Sequence, residues 1–176
     1  VESLGSVTVI ATDKTGTLTE NRMEVAAFAP QELEDRMLKI CLLCNDAVQN
    51  GVDFAGDPVD VALMRAAQEA GQEAQTVRRD NPILSEYTFD NARRRMSVVY
   101  QNDGQQWVAV KGAPEALLPQ CSQQFEGQAI IPMTDASRQA ILERVAQKAT
   151  DGLRVIALAE RALAKNRPTQ EEVESD

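Results

Sequence analysis

The 176-residue sequence contains no histidine, and this absence removes several kinds of chemistry. Ser-His-Asp and Cys-His relays use an imidazole as their general base, and many metal sites use it as a ligand. Such relays and histidine-ligated metal sites are both excluded here. Any general base must therefore be a carboxylate, a lysine or a similar group.

Long apolar runs and cysteines are also scarce. No run approaches the roughly 18 apolar residues that a membrane-spanning helix needs, and no basic-then-apolar segment resembles a secretory signal, so we expect a soluble piece. The three cysteines are Cys41, Cys44 and Cys121. The first two have Cys-x-x-Cys spacing inside an apolar helical pattern, and no second pair completes a zinc site. Buried inert thiols in a reducing compartment are the prediction.

Basic side chains are outnumbered, with 18 Lys and Arg against 27 Asp and Glu, and the sequence pI is about 4.6. This balance argues against a binder of duplex nucleic acid, whose footprint is a basic face. Residues 78–111 nevertheless carry a net charge of +2, while the remaining positions carry −11. A basic island on an acidic body suits a small anionic ligand. The alternative is a strand edge that charge protects from aggregation.

Hydrophobic periodicity and turn residues predict an α+β fold, an antiparallel twisted sheet flanked by helices. The sequence predicts helices over 31–44, 59–70, 114–118 and 136–150, with a loop over 45–56. It predicts strands over 7–12, 83–89, 96–101, 106–111 and 153–158, with hairpin turns at 102–104 and 126–127. Asp57 and Pro58 supply the cap and first position of the second helix, and Gly71 ends it. Residues 165–176 are polar and acidic, and we expect them to form a linker.

A phosphate-handling pattern follows the first predicted strand. Asp13 stands directly after apolar residues, where α/β proteins place ligand-handling groups. Lys14 adds positive charge, and Thr15 and Thr17 add hydroxyl groups. Gly16 lets backbone amides approach a tetrahedral anion closely, so the segment suits a phosphate cradle around a nucleophile. An ordinary polar turn is the alternative.

Residues 13–19 read Asp-Lys-Thr-Gly-Thr-Leu-Thr, which resembles the phosphorylation motif of the P-type ATPases. These ion pumps form an aspartyl-phosphate. Further blocks that resemble the family are Gly-Asp-Pro at 56–58 with Ala-Leu at 62–63, Phe-Asp-Asn-Ala-Arg-Arg-Arg-Met-Ser-Val-Val at 89–99, Lys-Gly-Ala-Pro-Glu at 111–115, and Asp-Gly-Leu-Arg-Val at 151–155. The five blocks are most similar to the type II branch, which transports calcium, sodium, potassium or protons.

The resemblance implies roles for particular residues. Asp13 is the implied phosphate acceptor, and Lys14, Thr15 and Thr17 line the phosphorylation site. The implied nucleotide-binding residues are Asp60, Phe89, Asn91, Arg94, Lys111, Gly112 and Arg154.

Within that second set, the resemblance implies that Phe89 stacks on adenine, above a pocket floor formed by Lys111 and Gly112. It implies that Arg94 and Arg154 reach the phosphates. Elementary chemistry agrees, because an aromatic face suits a nucleobase and guanidinium groups suit phosphate oxygens. Asp60 is one methylene shorter than the glutamate common in the family, and Asn91 stands where some relatives have a basic residue. Taken alone, Phe89 could instead belong to the core, and Arg93 to Arg95 could form a charged edge.

In the implied mechanism, the domain binds ATP with Mg²⁺ and presents the γ-phosphate to Asp13. Asp13 and Thr15 hold Mg²⁺ only in the complete phosphorylation domain. Nothing here resembles the family's later Gly-Asp-Gly block. We therefore expect the start of the phosphorylation domain and first hinge over 1–25, a nucleotide-binding domain over 26–163 and a linker over 164–176. This fragment of a cation-transporting ATPase is expected to bind ATP without hydrolysing it.

Expected partners are ATP and the phosphorylation, actuator and transmembrane domains of a parent pump, at the cytoplasmic face of a membrane, and no nucleic acid. One alternative is a stand-alone phosphatase like the haloacid dehalogenases. Thr15 disfavours it, because those enzymes have an aspartate there as acid and base. Another alternative is a docking domain that has lost the nucleotide.

Overall fold

The computed structural model describes residues 23–164 and Val173. Helices flank antiparallel strands, so the predicted α+β class is confirmed. The helices are α1 (Glu34–Leu43), α2 (Pro58–Glu69), α3 (Ala74–Asp80), α4 (Pro114–Leu117) and α5 (Asp135–Thr150), with 3₁₀ turns at Gln31–Leu33 and Leu118–Gln120. The strands are β1 (Val48–Asn50), β2 (Asp53–Ala55), β3 (Ile83–Asp90), β4 (Arg95–Asn102), β5 (Gln105–Gly112), β6 (Gln123–Glu126), β7 (Ala129–Pro132) and β8 (Ala157–Ala162).

The main sheet has the strand order β3-β4-β5-β8, and each neighbouring pair is antiparallel. Strand β4 is internal, and its residues 96–100 are all buried. The turn from β4 to β5 places Asp103 at φ 47° and Gly104 at φ 78°. Two central residues in the left-handed region form the turn that best matches strand twist. The predicted hairpin at 102–104 is confirmed, as is the hairpin of β6 and β7.

One face of the sheet packs against α1. The cluster comprises Ile40, Leu43, Cys44, Met96, Val98, Tyr100 and Ala109. Burial raises the pKa of the Cys41 thiol to about 12 and raises that of Cys44 as well. The prediction of buried thiols is confirmed for these two cysteines, whereas Cys121 is half-buried.

The opposite face of the sheet carries a smaller cluster. Val99 and Val108 pack there with Leu163 and with Val173. The Leu163 N–H donates to the Gln106 carbonyl at 2.8 Å, which extends the edge pairing of β8 by one residue. Both faces of β4 and β5 are therefore covered, as their continuous apolar sequences require.

Helix α2 begins and ends as the sequence predicts. The Asp57 carboxylate accepts a hydrogen bond from the Val59 N–H at 2.8 Å, and Pro58 occupies the first helical position. Gly71 adopts φ 77° just after the last turn. The helix packs against α1 through a second cluster, formed by Leu38, Leu42, Ala47, Met64 and Ala67.

Three elements differ from the sequence prediction. The expected loop 45–56 contains the hairpin of β1 and β2. Val48 and Val52 of this hairpin are exposed, so the sequence there shows no alternation of buried and exposed residues that would indicate strands. Helix α3 was not predicted. The last strand begins at Ala157 and not at Leu153, because the Leu153 N–H donates back to the Lys148 carbonyl at 3.0 Å. That bond and Gly152 at φ 80° form a helix-ending motif, which uses residues that the strand was expected to use.

Helix α5 lies at the surface. The predicted inward side chains Ile141, Leu142 and Val145 are half-buried, and none of the helix is fully buried. Across residues 23–164 and Val173, no helix has both the length and the apolar character to cross a bilayer.

Candidate functional site

The predicted phosphorylation residues Asp13, Lys14, Thr15 and Thr17 lie outside the described residues, and so do the predicted magnesium ligands Asp13 and Thr15. Within the described part of the chain, no three Cys, Asp or Glu side chains form a group that could hold a metal ion. The seven predicted nucleotide-binding residues are all described.

Strand register gathers most of these seven at one end of the main sheet. Asp90 pairs with Arg95 on β4, and Arg95 pairs with Gly112 on β5. Phe89 directly precedes Asp90, so it stands two strand spacings, about 10 Å, from the end of β5. Gly112 also pairs with Ala157 on β8. Arg154 precedes Ala157 by three residues, on the chain segment that leads into this end of the sheet.

Lys111 and Asp60 form a buried ion pair at this end. The Lys111 ammonium donates to Oδ1 of Asp60, and the two side chains are only 8% and 10% exposed. Asp60 lies in the first turn of α2, where the helix dipole favours a carboxylate. Lys111 shares a sheet face with Met96, its partner on β4. The pair thus ties α2 to the sheet.

A loop after α1 holds Asp60 in place. The Asp46 N–H donates to Oδ2 of Asp60 at 3.0 Å, and the Asn45 side-chain amide donates to the Asp60 carbonyl at 3.0 Å. Arg78 fixes the loop in turn, because its guanidinium donates to the carbonyls of Leu42 and Asn45 at 3.1 and 2.6 Å. Both carboxylate oxygens of Asp60 are therefore engaged within the protein.

The link between β3 and β4, residues 90–95, is a tight turn that we call the arginine turn. Oδ1 of Asp90 accepts hydrogen bonds from the N–H groups of Ala92 and Arg93 at 3.0 and 2.8 Å. The Arg93 guanidinium folds back and donates to the Thr88 carbonyl at 2.8 Å. Arg94 is exposed and takes φ 50°. Its side chain therefore projects from a turn that other groups hold.

Phe89 and the remaining predicted residues are accessible. Phe89 is 50% exposed, so it does not belong to the core. Asn91 and Arg154 are exposed as well. An apolar ring, a buried ammonium and an exposed guanidinium thus occupy one end of three adjoining strands. An anion with a flat apolar body would find both kinds of contact there.

Sequence reasoning missed the residues that support this site. Asn45 and Asp46 follow an apolar helix, which indicates only that the helix ends there. Glu86 lies on β3 opposite Val98. Although Glu86 is exposed, partial desolvation raises its pKa first, and a hydrogen bond and repulsion from Asp46 raise it further, while Arg78 opposes the shift. Only the tertiary fold brings these groups together.

An open cavity of about 420 Å³ lies toward the other end of the strands. Its lining comprises Asp35, Arg36, Lys39, Asn102, Trp107 and Glu160. The charged groups there already bind one another, because Glu160 is in contact with Arg36, lies 3.6 Å from the Lys39 ammonium and accepts a hydrogen bond from the Tyr100 hydroxyl at 2.9 Å. We therefore place the candidate site at the Lys111 end, where Arg94 projects without such a partner among the described residues.

Comparison with known proteins agrees with this assignment of fold. Residues 34–176 match the family described as P-type ATPase, cytoplasmic domain N. The chain is 39% identical over 184 residues to calcium-transporting ATPase 1 of Lactococcus lactis subsp. lactis (strain IL1403), covering 95% of this chain and 20% of that protein. It is 34% identical over 172 residues to calcium-transporting ATPase 1 of Bacillus cereus (strain ATCC 10987 / NRS 248), covering 90% and 19%.

A third relative is the probable cation-transporting P-type ATPase of Mycoplasma pneumoniae (strain ATCC 29342 / M129 / Subtype 1), with 35% identity over 183 residues that cover 100% of this chain and 19% of that protein. The chain therefore spans about a fifth of the length of these relatives. It belongs to the P-type ATPase family, and the matched region is the family's cytoplasmic domain N.

Proposed function

We propose that residues 26–163 bind ATP at the Lys111 end of the main sheet, as the nucleotide-binding domain of a cation-transporting P-type ATPase. The observation that carries the proposal is the convergence of Phe89, Arg94 and Lys111 at one end of three adjoining strands. Phe89 stacks on adenine, and the buried pair of Lys111 and Asp60 closes the base end of the pocket.

The phosphates of the bound nucleotide run toward the positive side of the pocket. Arg94 and Arg154 are exposed and reach phosphate oxygens, and Asn91 lies in the same turn as Arg94. Guanidinium groups suit phosphate because they donate two parallel hydrogen bonds. Gly112 follows Lys111 at the end of β5.

The γ-phosphate is delivered to Asp13, whose carboxylate attacks phosphorus in line while ADP leaves. Lys14, Thr15 and Thr17 stabilise the charge of the transferred group. Asp13 and Thr15 would hold Mg²⁺ when the phosphorylation domain is complete, and the metal would supply neutralisation of phosphate charge there. The implied domain borders are 1–25, 26–163 and 164–176. The phosphorylation, actuator and transmembrane domains of a pump are the partners, with this domain at the cytoplasmic face.

A nucleotide titration of the isotope-labelled chain, followed by amide chemical shifts, tests the proposal. We expect shifts centred on Phe89, Arg94 and Lys111. Replacing Phe89 by alanine removes the stacking surface, and a stacked base contributes about 1–3 kcal/mol. ATP affinity should therefore fall at least about fivefold. ATP should remain unhydrolysed, because nothing in this sequence resembles the family's later Gly-Asp-Gly block, whose aspartates would hold Mg²⁺.

Leu84→Ala provides a matched control. Leu84 lies on the same strand as Phe89 and is 48% exposed, against 50% for Phe89. This variant should bind ATP as the unmodified chain does. Unchanged affinity in Phe89→Ala would indicate a docking domain that has lost its nucleotide, and shifts far from the three named residues would place the pocket elsewhere.

A further inference from the structure

Gly112 lies against the arginine turn with no room for a side chain. A Cβ atom built on Gly112 would lie 2.6 Å from the Arg94 carbonyl oxygen, 2.7 Å from Cβ of Arg95 and 2.7 Å from Cδ1 of Leu117. Real Cβ atoms essentially never approach other atoms closer than 3.0 Å. The Arg94 carbonyl would have to move by about 0.4 Å or more, and as a backbone atom it cannot rotate away alone.

This close approach permits one particular hydrogen bond. The Ala113 N–H donates to the Arg94 carbonyl at 3.0 Å, and the Arg94 N–H donates to the Asp90 carbonyl at 2.6 Å. Arg94 is thus fixed on both sides of its α-carbon. Its φ of 50° is unfavourable for a residue other than glycine, and such a conformation persists only where the surroundings impose it.

We propose that Gly112 is a positioning residue for Arg94. Its lack of a side chain lets the end of β5 bind the Arg94 carbonyl, and this contact aims the Arg94 guanidinium at the phosphates of the bound nucleotide. The inference rests on the proposed function and changes one part of it. Gly112 acts on the phosphate end of the pocket through Arg94, and it does not form the floor beneath the base.

The positioning role and the pocket-floor role predict different effects of a Gly112 substitution on ATP and adenosine affinity. Adenosine has the base and ribose of ATP but no phosphate, so it cannot use Arg94. Displacing the arginine turn should therefore weaken ATP and leave adenosine unaffected. Removing a floor contact should weaken both ligands by the same factor.

Gly112→Ala and Ala113→Pro both displace the Arg94 carbonyl, by different means. Proline at 113 replaces the donor N–H with a ring carbon, and the observed φ of −68° at Ala113 is the angle that proline requires. Because Gly112→Ala also crowds the buried Leu117, Ala113→Pro remains informative if the first variant fails to fold. A dispersed amide spectrum checks folding in each case.

The experiment measures ATP and adenosine affinities by amide shifts for the unmodified chain, for both variants and for Arg94→Ala. We expect ATP affinity to fall about five- to tenfold in each variant, since a charge-assisted hydrogen bond at an exposed site is lost or weakened. Adenosine affinity should change less than about twofold. In the Arg94→Ala background, Ala113→Pro should cause no further loss of ATP affinity.

Three results would overturn the proposal. Equal loss of ATP and adenosine would return Gly112 to the pocket floor, and unchanged ATP affinity in both variants would remove any role in positioning. If Ala113→Pro lowered ATP affinity as much in the Arg94→Ala background as in the unmodified chain, the turn would act through another group. If the unmodified chain bound neither ligand, the proposed function itself would fail, and this result is distinct from the other three.

Discussion

The ion pair of Lys111 and Asp60 should contribute far more to stability than an exposed pair, and Lys111→Met tests this directly. Methionine preserves most of the apolar stem but removes the ammonium. The Asp60 side chain, only 10% exposed, would then retain its carboxylate with one remaining donor, the Asp46 N–H. Breaking a buried pair on one side costs about 3–5 kcal/mol, because an uncompensated charge remains buried. We expect a loss of about 3 kcal/mol in the free energy of unfolding.

The assay is urea unfolding followed by the fluorescence of Trp107, the single tryptophan, which packs against the cluster beneath α1. Lys148→Met is the matched control. Lys148 lies 3.8 Å from the Asp151 carboxylate, and both side chains are about half exposed, at 58% and 48%. A pair of this kind contributes at most about 1 kcal/mol, so this variant should unfold almost as the unmodified chain does.

A double variant separates the ion pair from simple loss of packing. Lys111→Met combined with Asp60→Asn removes both charges and keeps an oxygen that can accept from the Asp46 N–H. Since neutral replacement of both partners is far less costly than loss of one, most of the 3 kcal/mol should return. A loss below about 1 kcal/mol in Lys111→Met, or additive losses in the double variant, would refute the reasoning.

Two further predictions concern the flanking elements. Asp57→Ala should lower the free energy of unfolding by about 1 kcal/mol, because the Val59 N–H loses its cap, and Asp57→Asn should recover most of that loss in the same urea assay. For Glu86, partial desolvation and the neighbouring Asp46 raise the pKa above its ordinary 4.5, so the folded chain holds this proton more tightly than the unfolded chain. Its contribution to stability therefore falls as pH rises from about 4.5 through the raised pKa. Glu86→Gln should lack that fall, and parallel stability profiles between pH 4 and 8 would contradict the assignment.

Local signals predicted the elements that local chemistry determines. Asp57 with Pro58 and Gly71 set the ends of α2, and Asp103 with Gly104 set the central hairpin, because capping and turn conformations depend on residues within a few positions. The hairpin of β1 and β2 was not predicted, because its local sequence carries no comparable signal. Its exposed valines show no alternation between a buried and a solvated face, so hydrophobic periodicity did not indicate strands there.

The residues that support the site could not be predicted, because their contacts join distant segments. Asn45 and Asp46 reach Asp60 across 14 or 15 positions, and Asp60 reaches Lys111 across 51. Motif resemblance drew attention to Asp60, Lys111 and Gly112 without saying which atoms they touch. The crowding between Gly112 and the Arg94 carbonyl depends on the register of β4 against β5, and that register exists only in the folded sheet.

The proposed pocket separates two tasks that a single basic cluster would combine. Because Asp60 neutralises Lys111 in a buried pair, the base end of the pocket carries no net charge from these two groups. In the proposed pocket, attraction for the phosphates would then come from Arg154 and from the arginine turn, where Arg94 is exposed and its backbone is fixed by β5. A neutral end beside a positive end orients a nucleotide in one direction only, since reversal would place phosphates against Asp60. This orientation would send the γ-phosphate outward, as the proposed delivery to Asp13 requires.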